Sequence, residues 1–159
     1  MKKLLLFLSL AIAGCSKNHE IKGNWYTFSR DELNVNESNK NLNEVYYEEI
    51  FVSEKNIFTY SNISGLSPAY TYKYKNDSIF IGIGMGSELL DFRGIVHFLD
   101  ENTYTLTNEF QKIDTFQRII NDRITLDKYL IIKDNTFDFK SDTIYTQEFI
   151  NRNQNVLGN

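Results

Sequence analysis

The chain has 159 residues, 42% hydrophobic and 14% aromatic, with 17 Lys+Arg against 21 Asp+Glu and a formal charge of −4. A chain of this length is one domain able to bury a core unaided, and its single cysteine and two histidines exclude an internal disulfide framework or a zinc cluster. The acidic balance and the lack of a basic stripe argue against a nucleic-acid partner.

Lys2 and Lys3 precede an apolar run from Leu4 to Ala13. That run is about half the roughly twenty residues a membrane-spanning helix needs, so it predicts a secretion signal. It ends in Ile12-Ala13-Gly14-Cys15, which resembles the lipobox of bacterial lipoproteins. The resemblance implies that residues 1–14 are a signal peptide, that cleavage leaves Cys15 first, and that Cys15 is acylated. Residues 15–22 then form a lipidated tether, and the expected partner is a membrane, held through the N-terminal acyl chains. Each buried methylene contributes about 0.8 kcal/mol, so two or three chains anchor where one does not. Loss of Lys2 and Lys3 takes the charge from −4 to −6, and an acidic body gains nothing from an anionic lipid surface. By the sorting rules of such lipoproteins, Ser16 implies the outer membrane of a bacterial envelope, with its periplasmic and surface faces both open.

From Gly23 onward the hydrophobic period is two, the period of a strand. Trp25 opens the first strand, and Arg30 to Asn43 is a long, Asn-rich connection to the second. Tyr46, Glu48, Ile50 and Val52 then alternate with Val45, Tyr47 and Phe51, with bulk on both faces. Tyr70, Tyr72 and Tyr74 alternate with Thr71, Lys73 and Lys75, and Ile79, Ile81 and Ile83 with Phe80, Gly82 and Gly84. Phe92, Val96 and Phe98 alternate with Arg93, Ile95, His97 and Leu99, and Tyr104 and Leu106 share a face. Short polar clusters punctuate these runs: Glu54-Lys55-Asn56, Asn76-Asp77-Ser78, Asp100-Glu101-Asn102 and Asp134-Asn135. Asn and Asp tolerate positive φ, so each cluster predicts a hairpin turn. A chain of hairpins is an up-and-down antiparallel meander, which removes its edges by closing into a barrel. The expectation is an all-β barrel of about eight strands as one domain over 23–159. Residues 120–159 form an extension in which Arg123–Lys133 and Ser141–Asn151 read equally as strand or short helix.

Gly23-Asn24-Trp25, following a tether and opening a meander, resembles the lipocalin-like proteins, and small lipocalin-like lipoproteins most closely. The resemblance covers roughly residues 21–120. It implies that Trp25 closes the barrel floor under an arginine from a late strand, Arg118 of Phe116-Gln117-Arg118-Ile119, with Arg123 as the alternative. Such a contact contributes about 0.5–2 kcal/mol. It also implies a small apolar molecule held inside the barrel, with Trp25, Tyr70, Tyr72, Tyr74 and Phe98 as the candidate lining. The chain departs from larger lipocalins in lacking their Thr-Asp-Tyr motif and in running about forty residues past the last expected strand.

No catalytic set emerges. Gly82-Ile83-Gly84-Met85-Gly86 lies in a strand with hairpins after it, so the helix N-terminus a phosphate loop needs is missing. His97 is a lone strand histidine with no nucleophile beside it. Glu48 and Glu49 are adjacent on one strand and point to opposite faces, so they do not form a carboxylate pair. The expected function is non-enzymatic binding, with neither cofactor nor metal. The alternative is a protein-interaction module with a filled barrel, which presents its Asn-rich loop and C-terminal extension to a protein partner.

Overall fold

A computed structural model describes residues 20–29, 46–120, 122–133, 136–140 and 143–157. The expected signal peptide, Cys15, most of the expected tether, the Asn-rich connection and the turn expected at Asp134-Asn135 lie outside the described residues.

The strands follow the period-two pattern of the sequence. They are β1 (Gly23–Ser29), β2 (Tyr46–Val52), β3 (Asn56–Ser61), the two-residue β4 (Gly65–Leu66), β5 (Tyr70–Lys75), β6 (Ser78–Ile83), β7 (Asp91–Phe98), β8 (Thr103–Thr107) and β9 (Ile113–Arg118). Each long strand pairs antiparallel with the next. β9 returns to β1 through Trp25↔Arg118 and Tyr26↔Gln117, and this closes an eight-stranded up-and-down barrel. β4 pairs only with β3, inside the β3–β5 connection. Asn76 (φ 48°) and Asp77 (φ 59°) form a two-residue turn between the paired Lys75 and Ser78, the primed geometry whose twist matches a hairpin.

The inward side chains build one core from Trp25, Ile50, Val52, Ile57, Ile79 and Val96, with Tyr104 and Phe116. At one end this core forms a floor. Trp25 is fully buried, its Nε1 donates to the Ile21 carbonyl at 2.7 Å, and its ring meets Tyr104 edge-on at 4.7 Å. The Arg118 guanidinium lies 4.2 Å from the Trp25 ring centroid and donates to the carbonyls of Glu20 (3.0 Å) and Lys22 (3.1 Å). The segment ahead of β1 is thereby clamped beneath the barrel. A Cβ on Gly23 would sit 2.8 Å from Arg118 Nη1, and the φ of Gly23 is +119°, so glycine at this point of Gly-x-Trp has a steric and a backbone cause.

The extension resolves into both kinds of element: α1 (Leu126–Tyr129), a hairpin of β10 (Leu130–Lys133) and β11 (Thr136–Phe139), and α2 (Thr143–Leu157). It covers the outer face of β2 and β3. There Tyr47, Phe58, Leu126, Leu130, Tyr145 and Phe149 make a second core outside the barrel. This explains the bulk on both faces of β2: Ile50 and Val52 serve the interior, while Tyr47 and Phe51 serve the extension.

Glu49 points into the second core with 0% of its side chain exposed. Arg152 of α2 meets it in two places, Nε to Oε1 at 2.7 Å and Nη2 to Oε2 at 2.9 Å. Tyr47 and Tyr145 each donate a hydroxyl to the same carboxylate at 3.0 Å. Burial, followed by the Glu49 charge, drives both tyrosine pKa values upward, so both phenols stay protonated and keep donating.

Candidate functional site

Above the floor the barrel is hollow, with a cavity of about 770 Å³. That lies within the range typical of sites for small molecules, about 300–1,000 Å³. Its lower wall is apolar, from Ile50, Val52, Ile57, Ile79, Val96 and Phe116, and its upper wall and rim carry polar and charged groups alongside Phe28, Ile83 and Phe92. Lining residues from the β6–β7 and β8–β9 ends of the barrel, including Ile83, Asp91, Glu109 and Lys112, place the mouth opposite the Trp25 floor.

The residues expected to line a pocket divide by depth. Tyr70 lines the cavity. β5 runs from mouth to floor at about 3.3 Å per residue, so Tyr72 and Tyr74 lie about 7 and 13 Å further along the strand towards the floor. Both pack against the inner core there, with Tyr72 Oη donating to the Ser53 carbonyl at 2.8 Å and Tyr74 Oη to Asp77 Oδ1 at 3.0 Å. Trp25 and Phe98 also belong to this packed core and are not among the lining residues. Of the expected row Tyr70 alone lines the cavity, whose lower walls are branched aliphatics over an aromatic floor.

Polar groups not singled out in the sequence gather above the aliphatic wall. Glu48, two residues from Ile50 on the inward row of β2, faces the cavity with Tyr46. Burial pushes its carboxyl pKa up from the usual glutamate value near 4.5, and the charge of Asp114 adds to that push. Hydrogen bonds from the Tyr46 and Thr59 hydroxyls and the charge of Arg93 pull it back down. Arg93 reaches the mouth because the β6–β7 register shifts: Ile79 pairs with Gly94 and Phe80 with Phe92, so the ladder skips Arg93. A bulge beside a site commonly re-aims one side chain in this way. On the opposite wall, Asp114 pairs with Lys112 at 3.8 Å. The strand parity of Glu48 with Ile50 and Val52 was the available signal for this cluster.

A carboxylate held in such a place costs stability. The folded state binds the Glu48 proton more tightly than the unfolded chain does, so this contribution falls as pH rises from about 4.5 through the raised folded pKa. Glu48→Gln is expected to raise Tm at pH 7.5 by roughly 2–4 °C and to leave it unchanged below roughly pH 4. Thermal melts across pH check this, and a variant less stable than the parent at pH 7.5 would show that the ionised carboxylate is a net stabiliser.

His97 is exposed on the outer face of β7. Among the described residues, no group of three or more His, Cys, Asp or Glu side chains is placed to hold a metal ion, and no helix is long and apolar enough to cross a membrane. In comparisons with known proteins, no family model, curated protein or solved structure matches the chain.

Proposed function

We propose that this protein is a lipocalin-like binding module, tethered to a bacterial membrane through acylated Cys15, that holds a small amphipathic molecule inside its barrel. The observation that carries the reading is the cavity: about 770 Å³, apolar below, with polar and charged groups confined to its upper part, and floored at one end. A barrel needs no such space for its own stability, because empty apolar volume forfeits packing. The floor sets the orientation of a guest, with its apolar body against Ile57, Ile79 and Val96 and its polar head towards the mouth. The lipidated address rests on Lys2, Lys3, the apolar run and Ile12-Ala13-Gly14-Cys15.

Titration with an environment-sensitive apolar fluorophore, N-phenyl-1-naphthylamine, tests the cavity. Saturable binding at one site is expected. Ile81→Trp, which fills the cavity from its own wall, is expected to weaken binding at least about tenfold while the barrel still folds, a difference of about 1.4 kcal/mol. Unchanged binding in Ile81→Trp would move the ligand elsewhere, and absence of saturable binding would sink the reading. Intact-mass analysis of the membrane fraction tests the anchor, since an unmodified Cys15 there would refute it.

A further inference from the structure

Resting on the binding reading above, we propose that the cavity selects an apolar molecule with a single cationic amine head, received by the Glu48 carboxylate. Three observations converge on that head.

The first is position. Glu48 stands one inward step from Ile50 on β2, at the boundary between the aliphatic wall and the polar rim. A guest whose apolar body fills the lower cavity therefore presents its head at the level of Glu48. The second is the sign of the field. Among the described residues the lining carries four carboxylates, Glu48, Asp91, Glu109 and Asp114, against two cations, Arg93 and Lys112, and so a net of two negative charges. Low-dielectric walls focus such a field along the opening, which concentrates cations and repels anions. The third is the lack of a direct counter-ion, since Arg93 acts on Glu48 through its charge alone. Lys112 is already engaged with Asp114, and among the described residues no lysine or arginine forms an ion pair with Glu48.

The hydroxyls of Tyr46 and Thr59 satisfy hydrogen-bonding capacity at Glu48 but supply no positive charge. An ammonium entering from the mouth supplies both. It brings three N–H donors to a carboxylate that apolar walls have partly stripped of water, where a charge-assisted hydrogen bond is at its strongest. A carboxylate head at the same level would meet Glu48 and Asp114 as like charges, and Arg93 at the rim, whose charge already acts on Glu48, would have to serve both. The arrangement therefore discriminates by head charge, while the aliphatic wall takes any chain of suitable length.

Isothermal titration of the full chain with dodecylamine, dodecanol and dodecanoate separates head from chain, because the three share one apolar body. The amine is expected to bind at least about tenfold tighter than the alcohol, and the carboxylate more weakly than either. In Glu48→Gln the amine-to-alcohol ratio is expected to collapse to within about threefold, while Glu48→Asp, which keeps the charge, retains a preference. Equal binding of amine and alcohol by the parent chain, or a ratio that survives Glu48→Gln, overturns the assignment of Glu48 and leaves the binding reading standing. Tightest binding of dodecanoate overturns it in favour of Arg93. If none of the three binds, the binding reading falls with it.

Discussion

Replacing Arg152 with Met is expected to destabilise the protein by about 3–5 kcal/mol, a large share of the roughly 5–15 kcal/mol available to a domain. The magnitude follows from what is left behind. Glu49 has 0% of its side chain exposed, and Arg152, only 14% exposed, is the cation that meets both of its oxygens. Without Arg152 the carboxylate keeps the Tyr47 and Tyr145 hydroxyls but no counter-charge, and Asp122 and the Ile124 carbonyl lose a guanidinium donor as well. Removing one partner of a buried pair costs far more than removing both. Accordingly, Glu49→Leu combined with Arg152→Met should recover more than half of the loss. Urea unfolding of the two single variants and the double variant closes the cycle. A loss below about 1 kcal/mol for Arg152→Met would mean that aromatic packing alone holds α2 on the barrel.

Trp25→Ala is expected to cost about 3–5 kcal/mol, from lost burial and from the void under the core. Trp25 is fully buried and joins three elements: the tether through Ile21, β8 through Tyr104 and β9 through Arg118. Trp25→Phe retains a ring beneath the guanidinium but leaves the Ile21 carbonyl without its donor. A smaller loss of about 1–2 kcal/mol is expected from it. Trp25 is also the one tryptophan of the chain, so intrinsic fluorescence in the parent reports on the floor, and the variants are followed by circular dichroism. Equal losses in the two variants would remove the ring-specific contribution of Arg118.

The barrel was legible in the sequence because its causes are local. Asn76 and Asp77 announce a turn through their tolerance of positive φ, and the rows on either side announce inward faces through strand parity. Gly23, Trp25 and Arg118 meet because closure sets the first strand beside the last, a consequence of the up-and-down order itself. The helix α2 was ambiguous for a physical reason. Its buried stripe runs Tyr145, Phe149, Arg152, so a charged residue stands where the third apolar one belongs, while Ile144 and Ile150 are exposed. The aliphatic cavity was harder still to read. The inward parity of Glu48 was visible, but Arg93 arrives through a register shift and Asp114 from a distant strand, and neither is encoded near β2.

The second core outside the barrel also bears on the order of events as the chain folds. β2 and β3 carry apolar side chains on both faces, and the outer set, Tyr47, Phe51 and Phe58, shares its core with elements that begin at Leu126, among them Leu126, Leu130, Tyr145 and Phe149. Glu49 and Arg152 are separated by 103 positions, among the longest sequence separations joined by a side-chain bond in the described structure. Contacts of such separation form late, because closing the intervening chain costs entropy before any contact rewards it. Until α2 arrives, a nascent barrel presents an aromatic strip and an unpaired buried-type carboxylate to its surroundings, the kind of surface that invites misassembly. Helix α2 thus completes the cover of strands some hundred positions earlier in the sequence.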